Sequence, residues 1–129
     1  MDLNKFKFIN DTSGHLAGDE VLKQIAPLVQ VCIRNSDIFA RIGGDEFGFL
    51  FYGCSIEKAL KITEKIQQGL SKYLFQWEGL QYEIGASIGI VPITKKTPSL
   101  TELFGAADSA CYSAKELSGN NIHIFSKKY

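Results

Sequence analysis

The chain has 129 residues, 45% of them hydrophobic, with 14 lysines and arginines balancing 14 aspartates and glutamates. This length and patterning suit one α/β domain with a single core, and the zero net charge excludes a global basic field for a nucleic-acid backbone. No apolar run approaches the roughly 18 residues that a membrane-crossing helix requires, so this segment is expected to make no membrane contact. Cys32, Cys54 and Cys111 are odd in number, far apart and flanked by apolar residues. They are expected to be reduced thiols in or near the core, as in a cytoplasmic protein, and no Cys/His spacing points to zinc.

In chain order, Met1 to Leu3 reads as a very short strand and Phe6 to Thr12 as a short helical turn. Asp19 is placed as the cap of an amphipathic helix carrying Val21, Leu22, Ile25, Leu28, Val29 and Cys32 on one face. Pro27 falls inside that helix, where its missing N–H predicts a bend. Two apolar runs, Ile38 to Ile42 and Phe47 to Phe51, flank Gly43, Gly44, Asp45 and Glu46, and the adjacent glycines predict a tight hairpin. Ser55 opens a helix with Ala59, Ile62, Ile66 and Leu70 at helical spacing, and a strand follows from about Tyr82 to Val91. Pro98 and the capping box Ser99…Glu102 start a last helix, expected to turn Leu100, Leu103, Phe104, Ala107, Cys111 and Ala114 inward. Ile122 to Phe125 is a short closing strand. This order suits an α+β sandwich, a sheet with helices on one face.

The hairpin carries the first chemical signal. Asp45 and Glu46 occupy a glycine turn, where side chains project past the sheet edge; taken alone, Gly-Gly-Asp-Glu is an ordinary polar turn. If the first strand neighbours this hairpin, Asp2 converges on both. Three carboxylates repel one another unless a cation sits among them, and hard oxygen donors favour Mg²⁺ or Mn²⁺. That grouping suits metal-assisted phosphoryl transfer. After Asp2, the backbone N–H groups of Lys5, Phe6 and Lys7 can form an anion-binding nest, with the Lys7 ammonium as a point charge or simply a solvated lysine. Asn10 and Asp19 offer an amide and a carboxylate that fit a purine edge, although a turn and a helix cap are their blander roles. His15 is expected to be a loop packing residue.

The segments DLNKFKFINDTSGHLAGDEVL, RIGGDEF, SIGI and AADSACYSAKE, in this order and spacing, resemble the GGDEF family of bacterial diguanylate cyclases over essentially the whole chain. The resemblance implies a nucleotidyl cyclase or polymerase-palm-like fold of ferredoxin-like kind, with a central, antiparallel-rich sheet. It implies two GTP-loaded domains facing each other as a homodimer. Each 3′-hydroxyl attacks the other GTP's α-phosphate, yielding cyclic di-GMP and pyrophosphate. Carried over by position, Asp2, the Leu3 carbonyl, Asp45 and Glu46 would bind Mg²⁺ or Mn²⁺. Asn10 and Asp19 would read guanine, Gly43 and Gly44 would let the nucleotide approach the backbone, and Lys7 and Lys115 would contact phosphates. Arg34-Asn35-Ser36-Asp37 matches the Arg-x-x-Asp pattern upstream of the signature, which implies a product-binding inhibitory site at Arg34 and Asp37.

Three features depart from the family pattern. Gly119 stands where an arginine usually helps to hold phosphate, and its loss is expected to weaken GTP binding. Asn4 stands where aspartate is frequent. The family domain also normally begins some tens of residues earlier, so residues 1–129 are expected to lack its first helix and most of its first strand. The expectation is that upstream residues or a second copy complete the sheet there. The alternative to a cyclase is a non-catalytic GGDEF module that binds GTP or cyclic di-GMP and regulates a neighbouring domain. A cytoplasmic location is expected, with any membrane anchor supplied by other domains of a parent protein.

Overall fold

A computed structural model of the chain describes residues 1–95, 99–116 and 121–125. The elements run β1 (Asp2–Asn4), α1 (Phe6–Ser13), α2 (His15–Gln30), β2 (Ile38–Gly43), β3 (Glu46–Leu50) and α3 (Ile56–Ser71). They continue with β4 (Leu74–Trp77), β5 (Leu80–Glu83), β6 (Gly85–Ile90), α4 (Leu100–Glu116) and β7 (Ile122–Ile124). Five strands form the central sheet in the order β2-β3-β1-β6-β7, and β4 and β5 form a separate hairpin. β1 sits in the middle, antiparallel to β3 and β6, while β6 and β7 are parallel.

Alternation along β1 assigns the two faces of the sheet. Leu3 is 2% exposed and joins Phe47, Ala86 and Ile88 in the main core, beneath Val21, Ile25 and Val29 of α2 and Ile62, Ile66 and Leu70 of α3. Burying one such side chain contributes about 1.5–3 kcal/mol. Asp2, Asn4, Ser87 and Gly89 face the other way, and α4 lies across them. A Cβ built on Gly89 would stand 2.7 Å from the Ala110 Cβ and 2.7 Å from the Cys111 backbone nitrogen. Helices therefore cover both faces, not one as expected. Ser87, on the face covered by α4, is completely buried.

The same close approach explains which side of α4 is inside. Its buried residues are Ala106, Ala110, Cys111 and Ala114, small enough for the helix backbone to rest on β6. Leu100 and Phe104, expected to point inward, are 67% and 50% exposed. At the start of α4 the Glu102 N–H donates to Ser99 Oγ at 3.1 Å, the Ser99 side of the expected capping box; Pro98 lies outside the described residues.

Other expectations change locally. The strand foreseen from Tyr82 to Val91 divides at Ile84 into β5 and β6, which belong to different sheets. β4 and the Glu78-Gly79 turn before β5 were not foreseen. Both turn residues have positive φ (46° and 82°), the backbone of a two-residue type I′ hairpin. α2 begins at His15 behind Gly14 (φ 93°), so Asp19 sits inside the helix and is not its cap. His15 is exposed in the first turn of that helix, not packed in a loop. α2 runs through Pro27, whose carbonyl accepts from the Val31 N–H at 3.2 Å. Cys32 and Cys54 are half-buried and Cys111 is buried, all as free thiols.

Candidate functional site

The centre of the site follows from the β1–β3 register. The Leu3 N–H donates to the Asp45 carbonyl at 3.0 Å and the Phe47 N–H to the Met1 carbonyl at 2.8 Å. With those bonds on either side, Asp2 and Glu46 form a non-hydrogen-bonded antiparallel pair. This is the narrow kind, with Cα atoms about 4.5 Å apart and both side chains on one face. Asp45 is half-buried at the head of the turn, and Glu46 is exposed. Gly44 (φ 50°) permits the turn, and Arg41 pins it by donating from Nε to the Gly44 carbonyl at 2.9 Å. A Cβ at Gly43 or Gly44 would meet nothing within 4 Å, so the backbone here lies open to a ligand.

Among the described residues, no three His, Cys, Asp or Glu side chains stand grouped as a metal centre. The cation beside Asp2 is instead Lys115, whose Nζ lies 3.1 Å from Asp2 Oδ2. The Asp2 side chain is only 19% exposed, so its charge is partly withdrawn from water and gains from a counter-ion. Asn4 is tied to the neighbouring strand, its amide oxygen accepting from Ser87 Oγ at 3.1 Å. Gly119 lies outside the described residues.

Lys5 turns the chain from β1 into α1 through a left-handed backbone (φ 67°), and Ile9 is the residue whose N–H returns to the Lys5 carbonyl. Helix geometry leaves the first four N–H groups without intrahelical acceptors, and these belong to Lys5, Phe6, Lys7 and Phe8. The Phe6 side chain is buried, whereas those of Lys5 and Lys7 are exposed. Within α1, Asn10 lies against α2. A Cβ built on Gly18 would overlap the Asn10 amide oxygen, so Gly18 is what lets the Asn10 amide rest on α2, one residue before exposed Asp19. Sequence reading passed over Gly18; its place one residue before Asp19, inside a helix, was the available signal.

Arg34 and Asp37 form a closed turn of their own. The guanidinium reaches Asp37 from Nε (3.1 Å to each oxygen) and from Nη2 (2.8 Å), and Nη2 also donates to the Tyr52 carbonyl at 2.8 Å. The Arg34 backbone N–H completes the set at 2.8 Å from Asp37 Oδ2. Hydrogen bonding from Arg34 holds the Asp37 carboxyl below the usual carboxylate range, and that side chain is fully covered while Arg34 stays 32% exposed.

Comparison with known proteins assigns the chain to a family. The family described as "Diguanylate cyclase, GGDEF domain" matches residues 1–121. A relative named "Probable diguanylate cyclase DgcE", from Escherichia coli K12, is 39% identical over 125 residues, covering 97% of this chain and 11% of that protein. "Cyclic di-GMP phosphodiesterase PdeB" of Shewanella oneidensis is 35% identical over 128 residues, covering 99% of this chain and 15% of that protein. The chain thus spans a small part of either relative. Among solved structures, diguanylate cyclase SiaD in complex with its activator SiaC, from Pseudomonas aeruginosa, superposes with a TM-score of 0.87 at 26% identity. That match covers 95% of this chain and 47% of the other.

Proposed function

The chain belongs to the diguanylate cyclase GGDEF-domain family, and on that premise we propose that it condenses two GTP molecules into cyclic di-GMP and two pyrophosphates. The observation that carries this reading is the narrow Asp2–Glu46 pair, one strand end away from the first-turn N–H groups of α1. In each half-reaction a 3′-hydroxyl attacks an α-phosphorus. A new P–O bond forms as the hydroxyl gives up its proton, and the bond to the β-phosphate breaks to release pyrophosphate. One chain holds one GTP, so the second comes from a second copy.

The donors fit a hard divalent cation: they are all oxygens, and Asp2 already accepts an ammonium as counter-ion. Asp2, the Leu3 carbonyl, Asp45 and Glu46 would hold Mg²⁺ or Mn²⁺. Such an ion, when bound, neutralises triphosphate charge and makes the hydroxyl more acidic. The chain's own residues do the rest. The N–H groups of Lys5, Phe6 and Lys7 cradle phosphates, with the Lys7 and Lys115 ammoniums as added charge. Asn10 and Asp19 read the guanine edge, and Gly43 and Gly44 leave room for the nucleotide. The test is incubation with GTP and Mg²⁺ followed by chromatography for cyclic di-GMP, which is expected to accumulate with pyrophosphate. Binding of GTP or cyclic di-GMP without turnover would favour a regulatory module instead. That second reading draws on the similarity to a protein named a phosphodiesterase and on glycine at position 119.

The Arg34–Asp37 turn is read as the inhibitory site for the product. Arg34→Lys keeps a cation beside the covered Asp37 carboxylate but loses the planar fork. It should weaken cyclic di-GMP binding by about tenfold, roughly the loss of one charge-assisted hydrogen bond. Isothermal titration measures this directly. Unchanged affinity would leave the arginine as a brace between Asp37 and Tyr52 and nothing more.

A further inference from the structure

Resting on the reading of Asp2 as a metal ligand, we propose that Lys115 is the site's resident counter-ion. In this role it competes with the divalent ion for Asp2 while the site is empty, and it yields Asp2 when a triphosphate arrives. The motivating contact is direct, at 3.1 Å from Nζ to Oδ2. Three features of the fold maintain it. Asp2 is held by strand pairing on both sides, opposite Glu46 and Ser87. Gly89 lets α4 rest on β6 at backbone distance, with Ala110 and Ala114 buried against the sheet. Lys115 follows Ala114 in the last turn of α4, where the partial negative charge of the helix end favours a cation.

The energetic logic is that of paired carboxylates. Asp2 and Glu46 face one another across a narrow pair and repel in the absence of positive charge. The ammonium relieves that repulsion in the ion-free site. A divalent ion needs the same oxygens, so its binding displaces the ammonium and is weakened by the contact it breaks. A triphosphate supplies Lys115 with another anion within reach of its flexible stem. Nucleotide therefore strengthens metal binding, and by reciprocity metal strengthens nucleotide binding. A site of this design loads its ion chiefly together with substrate.

The experiment is a Mn²⁺ titration of the full chain, with free Mn²⁺ read by electron paramagnetic resonance and no nucleotide present. Lys115→Gln should bind Mn²⁺ about fivefold more tightly than wild type, the scale of a partly exposed ion pair. Lys115→Arg, which retains a cation, should stay near wild type. In an Asp2→Asn background the Lys115→Gln gain should vanish, which assigns the effect to this pair. Equal or weaker Mn²⁺ binding by Lys115→Gln, with a native thermal melt, would overturn the proposal. Should that variant melt early, Lys115→Met is titrated in its place: tighter binding supports the proposal, and equal or weaker binding overturns it. If wild type takes up no Mn²⁺ even with GTP present, the metal-site reading itself falls and this inference falls with it.

Discussion

Asp45→Ala and Glu46→Ala are each expected to reduce cyclic di-GMP formation about a thousandfold, roughly 4 kcal/mol of transition-state stabilisation. The size follows from their position. Phosphoryl transfer gives a protein little covalent chemistry to perform, so most of the rate comes from positioning and charge neutralisation. Glu46 is directly opposite Asp2, and Asp45 heads the turn whose carbonyl is bonded to Leu3. Neither side chain belongs to the core, which begins one residue later at Phe47. Both variants should therefore melt close to wild type, so the loss cannot be put down to unfolding. The check is turnover assayed by chromatography in both variants, set beside their melting curves. Near-normal rates would remove the hairpin from the chemistry.

Gly89→Ala should have the largest effect on stability. The added methyl would lie 2.7 Å from the Ala110 Cβ and the Cys111 nitrogen and 2.9 Å from the Ala107 carbonyl oxygen. Two of those three atoms are backbone, so relief requires moving the whole of α4. Overpacking of this kind costs about 1–3 kcal/mol. The helix that shifts is the one carrying Lys115 to Asp2, so nucleotide affinity should fall as well. Gly69→Ala provides the contrast. A Cβ there meets nothing within 4 Å and the residue lies inside α3, so the same substitution should stabilise by about 0.4–1 kcal/mol. Urea denaturation of the two variants should move the midpoint in opposite directions. Shifts of the same sign would mean that α4 does not rest on β6 as described.

Elements whose pattern is local were legible in the sequence. Ile62, Ile66 and Leu70 recur at helical spacing and are buried, and the glycine pair does mark the β2–β3 hairpin. The β4–β5 hairpin was missed because Glu78 takes a left-handed backbone that its residue type does not advertise, unlike the Asn-Gly or Asp-Gly pairs that usually signal such turns. α4 was misjudged because periodicity weighs large apolar residues, whereas contact with β6 selects small ones. The second covered face was hidden for the same reason: Ser87 and Gly89 look like solvent-facing positions until a helix lies on them. Asp2, Asp45 and Glu46 stand out as carboxylates, but the pairing of Asp2 with Glu46 depends on strand order, which no single segment encodes. The Lys115–Asp2 pair joins residues far apart in the chain and leaves no trace in any local spacing.

Gly18 carries a consequence for anyone who would improve this protein. Glycine inside a helix gives up about 0.8–1 kcal/mol relative to alanine, and Gly18 lies buried within α2. A screen scored on thermal tolerance would favour filling that space. The Asn10 amide already occupies it, and a side-chain amide can swing away far more cheaply than a helix can move. The hardened variant would fold well while having lost the placement of Asn10 on which purine discrimination is proposed to depend. Selection on robustness alone would thus drift toward a tougher scaffold with a blunted sense of which base it holds.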